Sequence, residues 1–179
     1  MSDKVSFSSA SQTFEEISDY YKVTAEALRK YYNFATIGNP IPSRFVALSQ
    51  EELEKELNER LNELDKNVSL NLLSAIEASL RIDYLNRVYR REKDNLSRTF
   101  RKIYKDKANK ASLEEDILSS WKKYHPKCKH IFSDIMGALK YRHWLAHGRY
   151  WVPKLGQQYD FYSISIIAIR FYQNVPLIN

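Results

Sequence analysis

All four histidines of the chain (His125, His130, His143 and His147) lie in one stretch. Its densest part reads Tyr141-Arg142-His143-Trp144-Leu145-Ala146-His147-Gly148-Arg149-Tyr150-Trp151. An ordinary imidazole, with a pKa of about 6.5, gives and takes protons near neutral pH. A guanidinium stays charged and presents a planar fork that grips two oxygens of a phosphate or carboxylate. An imidazole beside such a fork is a general acid/base with an anion clamp.

The placement of Arg142 is the main anomaly. On a helical wheel at about 100° per residue, Ile131, Ile135, Ala138, Leu139 and Ala146 share one arc, and Arg142 falls in its middle. A permanent charge there is costly unless a carboxylate, a phosphate or a partner surface meets it. Glu77, on the apolar stripe of an earlier helix, could supply that carboxylate in a structural ion pair. It also stands four residues before Arg81, the spacing of a simple helix-surface pair.

His147 lies about 140° further round the wheel than Arg142. The two side chains converge only if the helix unwinds ahead of Gly148, or if two copies face each other. His147 equally suits a helix C-cap, where it interacts favourably with the dipole. His143 and His147 share a helix face and could ligate a metal. However, Trp144 stands where an H-E-x-x-H site needs its Glu, so neither metal nor cofactor is expected. Cys128 sits among Lys127, Lys129 and His130, with no third group to orient a Cys–His nucleophile. Tyr150 and Trp151 could stack bases or pack in the core.

The elements that must position these residues read as helices, because the 179 residues include only 4 Gly and 5 Pro. Three capping boxes mark starts: Thr13/Glu16, Ser49/Glu52 and Ser112/Glu115. Helices are expected over about residues 13–34, 50–66, 69–107, 113–124 and 128–147. The first presents Phe14, Ile17, Tyr21, Leu28 and Tyr31 on one side, and Gly38, Pro40 and Pro42 break it. The stripe of the third is Leu73, Leu80, Tyr84 and Val88, with Glu77 on it. The Ile-rich segment 160–172 could be strand or helix. Helix is the reading adopted, because a lone strand has no sheet to join. The fold class is all-α, in one domain.

Composition agrees with a folded chain: 44% hydrophobic and 28% charged residues. One cysteine excludes an internal disulfide. No apolar run is long enough to suggest a membrane span, and residues 1–11 lack the apolar core of a secretory signal, so a cytoplasmic protein is expected. Net charge is +6 and unevenly spread. Residues 1–80 hold 8 basic and 13 acidic side chains, and residues 81–179 hold 20 and 9. Two basic runs stand out, with 11 basic against 4 acidic over 81–110 and 8 against 1 over 121–154. Such runs attract phosphate backbones, or serve as a solvated face.

Arg142-x-x-x-x-His147, late in an all-helical basic chain, resembles the R-x(4–6)-H signature of HEPN domains. Glu77-Ala-Ser-Leu-Arg81-Ile-Asp83-Tyr84 is similar to a polar signature on an earlier helix of that superfamily. The resemblance covers about residues 69–172, with residues 1–66 as an N-terminal helical elaboration. It implies a HEPN-like bundle of five to six helices. It also implies a metal-independent endoribonuclease of toxin or defence type, working as a homodimer with an antitoxin protein as a further partner. In that reading Arg142 holds the scissile phosphate, and His147 moves the proton of the ribose 2′-OH or of the leaving 5′-oxygen. Glu77, Arg81, His143 and Tyr150 support them, while Lys140, Arg149 and Trp151 contact RNA. Many HEPN toxins continue R-x4-H-x-Y; here Arg149 takes that third position and Tyr150 follows it. The rival readings are a non-catalytic helical module that binds RNA or protein, and a helical regulatory subunit.

Overall fold

A computed structural model describes residues 4–8, 10–33 and 41–178. Among these residues the protein is all-α, with six α-helices, a few short 3₁₀ and π turns, and no strand. None of the described helices is long and apolar enough to cross a membrane.

α1 (Phe14–Tyr32) and α2 (Gln50–Tyr89) start at the capping boxes read from the sequence. Thr13 and Ser49 accept the N–H groups of Glu16 and Glu52, whose carboxylates return to the capping N–H groups. On α1 the face is shifted at its end: Tyr31 is 45% exposed, while Tyr32 turns into a small cluster with Phe45 and Leu53. Gly38 and Pro40 lie outside the described residues, and Pro42 opens a 3₁₀ turn, Ser43–Phe45.

α2 is the spine. Its 40 residues span about 60 Å, and α1, α3, α5 and α6 all pack on it. The structure here corrects the division expected at 50–66 and 69–107. α2 runs through residues 67–68 because neither is Gly or Pro, and buried Leu64, Val68 and Leu72 keep the four-residue step. The break comes at residues 90–94, where Arg91 adopts φ 55°. α3 (Asn95–Lys107) starts afresh at Asp94, which accepts the Ser97 N–H at 3.0 Å. That start escaped the box pattern because the fourth residue is Ser97 instead of Glu.

The third expected box is also modified. Ser112 Oγ accepts the Glu115 N–H at 3.2 Å, but the carboxylate that returns to the Ser112 N–H belongs to Asp116, at 2.7 Å. The first turn, Leu113–Leu118, is π-helical, and its wider winding brings the next residue round to the cap. It continues into α4 (Ser119–Tyr124).

α5 (Lys129–Ala146) and α6 (Phe161–Asn174) complete the bundle, and the Ile-rich segment is helical, as adopted. Asp160 caps α6 by accepting the Ser163 N–H at 2.7 Å. The apolar arc of α5, including Ile131, Ile135, Ala138 and Leu139, is buried in the chain's own core beside Phe100, Trp121 and Phe171. Ala146, on the same arc but in the last turn, is exposed at the helix end. A second copy meeting α5 would therefore use its outer face, where Lys140, His143 and His147 are exposed.

A buried polar cluster ties the C-terminal tail to α2. Both oxygens of Asp83 accept Arg87 Nε at 2.9 Å, and one accepts the Ile178 N–H at 2.7 Å. Arg87 Nη2 donates to the Pro176 carbonyl at 2.8 Å, and its guanidinium lies 4.9 Å over the Trp121 ring. Burial pushes the Asp83 carboxyl up to about 6, against the opposing pull of the Ile178 N–H and Arg87.

Candidate functional site

The site is built where α5 ends. His147 is the C-cap, its N–H bonded to the His143 carbonyl at 3.1 Å. Gly148 takes φ 79°, and the Arg149 N–H reaches back to the Trp144 carbonyl at 3.2 Å. This is a Schellman closure, which needs a residue tolerant of positive φ just past the cap. The helix therefore unwinds at His147. Its ring meets that of His143, four residues earlier on the same face, with centroids 4.2 Å apart. Trp151 stands 5.8 Å from His143, and its carbonyl accepts Trp144 Nε1 at 2.7 Å. Tyr150, 84% exposed, meets the Trp151 ring edge-on at 4.6 Å.

Arg142, one turn earlier, answers the anomaly of its position. Its Nη2 stands 3.2 Å from Glu77 Oε2, while Glu77 Oε1 accepts Arg81 Nε at 2.9 Å. Both pairings open to Glu77 in the sequence thus occur together. Arg81 Nη1 also donates to the Ala111 carbonyl at 3.1 Å. One carboxylate serves two guanidiniums, so the triad keeps one net positive charge. Arg142 Nε is buried without a hydrogen-bond partner.

Arg142 and His143 line a cleft of about 430 Å³ together with Glu77, Leu139, Ser112, Glu114 and Glu115. His147 is not part of this lining and meets the cleft residues through its ring contact with His143. Three carboxylates therefore face the cleft, and the π turn contributes two of them by spending Asp116 on the cap in place of Glu115. Glu114 and Glu115 are legible in the sequence as the acidic first turn of a helix, but nothing local announces that they face Arg142.

Arg149, expected at an RNA surface, is committed elsewhere. Its fork grips the Glu63 carboxylate on α2 at 2.7 and 2.9 Å, and this bond holds Glu63 below the usual carboxylate range. The bidentate pair secures a residue that itself sits at φ 58°. Glu63 lies 86 positions away, so no local signal could have named it. Lys140 stays exposed on the outer face of α5. Cys128 is buried and donates to the Asn174 carbonyl at 3.4 Å. His125 and His130 lie at the opposite end of α5. Among the described residues, no group of three or more His, Cys, Asp and Glu side chains is placed to hold a metal ion.

Compared with protein-family models, with curated proteins and with solved structures, the chain matches none of them.

Proposed function

We propose that the protein is a metal-independent endoribonuclease of the HEPN type, acting in toxin or defence biology, with Arg142 and His147 as its working pair. The observation that carries this reading is the Glu77 carboxylate shared between two guanidiniums. It leaves Arg142 one-sidedly held, with Nε unpartnered, within a turn of the His143–His147 ring pair. A phosphate oxygen entering there meets an oriented guanidinium and an exposed imidazole.

The chemistry draws its nucleophile from the substrate. The ribose 2′-oxygen forms a bond to the adjacent phosphorus as the bond from phosphorus to the 5′-oxygen breaks. His147 takes the 2′-OH proton or delivers one to the leaving 5′-oxygen, and solvent water carries the other proton, so that none is gained or lost overall; His143 stands alongside. Arg142 balances the charge on the phosphorus oxygens. The products are a 2′,3′-cyclic phosphate and a 5′-hydroxyl. A second copy meeting the outer face of α5 would bring two such sets together, and an antitoxin protein would cover the same face.

A specific observation favours a second reading, a non-catalytic helical module that binds RNA or protein. Glu77, Glu114 and Glu115 face the cleft beside Arg142, and Glu63 neutralises Arg149. One experiment separates the two. Purified protein is incubated with total RNA in EDTA and the cut ends are examined. Cleavage with cyclic phosphate ends, lost in His147→Ala with the fold retained, supports the enzyme; intact RNA in the wild type supports the module.

A further inference from the structure

The histidines divide two and two, and the pair away from Arg142 occupies a cleft of opposite character. Where α4 ends, α5 begins and α6 ends, a space of about 640 Å³ opens among His125, Lys127, His130, Arg170 and Asn174. Among the described residues no carboxylate lines it. The Arg142 cleft, by contrast, carries three. Arg170 is held only loosely by Asp134, at 4.0 Å, and both side chains are about half exposed. Lys127 and His130 are exposed. No described side chain caps α5 at this end, so the positive end of an 18-residue helix dipole adds to the same field. His125 packs on Trp121 with ring centroids 4.6 Å apart, and Arg87 lies over that same indole. Burial first, and the Arg87 charge second, hold His125 below the ordinary imidazole range against the opposing pull of Asp94.

We propose that this cleft is a phosphate-binding site, and that the phosphate it takes belongs to the backbone of the RNA strand. The second clause rests on the proposed ribonuclease function; the first stands without it. An ammonium, a guanidinium and two imidazoles around an open cleft suit a phosphate that can be approached from several sides. His130 and Arg142 are about 18 Å apart along α5. Lys129, Lys140 and His147 are exposed and fall on one face of that helix, so a basic line joins the two ends. The cleft would hold the strand by its charge and leave the chemistry to the other end of the helix.

The test uses the full chain and its four histidine ring signals in two-dimensional NMR. Pyrophosphate is titrated first, followed by a single-stranded 2′-O-methyl oligoribonucleotide, which lacks the 2′-OH nucleophile and cannot be cut. The expected result is a saturable shift of His125 and His130 with both probes, and competition between them. Lys127→Ala and Arg170→Gln, both at exposed positions, should each weaken oligonucleotide binding about tenfold and reduce its salt slope by about one. Non-saturating shifts, or binding unchanged in both variants, would overturn the phosphate site. Saturable binding of pyrophosphate that the oligonucleotide does not displace would overturn the RNA source and leave a site for a free phosphate ligand. Cleavage of unmodified RNA is scored separately. A protein that binds both probes and cuts nothing keeps the cleft and loses the ribonuclease reading.

Discussion

Glu77 and Arg142, on α2 and α5, meet with Oε2 3.2 Å from Nη2, and the other oxygen of Glu77 is already bonded to Arg81. The pair puts a charged residue inside an otherwise apolar arc at tolerable cost, since Arg142 keeps about a third of its side chain in solvent. Glu77→Ala should lower stability by about 1 kcal/mol, solvent screening included. A double-mutant cycle with Arg142→Ala, read from urea midpoints, should return a coupling of about 0.5–1 kcal/mol. Strict additivity would mean that the ion pair holds nothing.

The working pair should separate by chemistry. Arg142→Lys keeps the charge but loses the fork, and should impair cleavage severely while leaving the melting temperature near that of the wild type. His147→Ala should cost about 100- to 10,000-fold in cleavage rate. His143→Ala should cost less, because it lines the cleft but carries no proton in the proposed step. Single-turnover rates on one oligoribonucleotide check all three. Equal losses at His143 and His147, combined with abolition by EDTA, would replace the proposed roles with a metal site.

Asp83 should leave a mark on the pH dependence of stability. Its carboxyl is raised from an ordinary 3.8 to about 6 in the folded protein. Between these values the folded state binds more protons than the unfolded one. The contribution is therefore fully present below pH 4 and is lost as pH rises through 6. Asp83→Asn cannot titrate. The stability of the variant relative to the wild type should shift in favour of the variant by about 3 kcal/mol between pH 3.5 and 7. Urea unfolding of both proteins across that range measures it, and a flat difference would mean that Arg87 and the Ile178 N–H hold Asp83 ionised throughout.

Arg149 combines a positive φ with a bidentate bond to Glu63. Arg149→Ala loses the bond and keeps the strain, whereas Arg149→Gly loses both. The glycine variant should be the more stable of the two by about 1 kcal/mol in thermal or urea unfolding. The opposite order would show that the turn after α5 does not hold this geometry in solution.

Sequence by itself determined the helical content, most of the starts and the two ends of α5. These depend on neighbours within one turn: Thr13 with Glu16, Ser49 with Glu52, and Gly148 just past His147. It also determined that Arg142 needed a counter-charge, because a guanidinium at the centre of an apolar arc is costly in any helical fold. Tertiary structure alone decided what met it. Glu77 is shared with Arg81, and Glu114 and Glu115 are turned toward the cleft by a π turn that no local pattern announces. The same holds for Arg149, whose partner on α2 is fixed by how two helices cross. It holds again for His125 and His130, which sit near His143 and His147 in sequence yet far from them in space, because an 18-residue helix keeps its two ends apart.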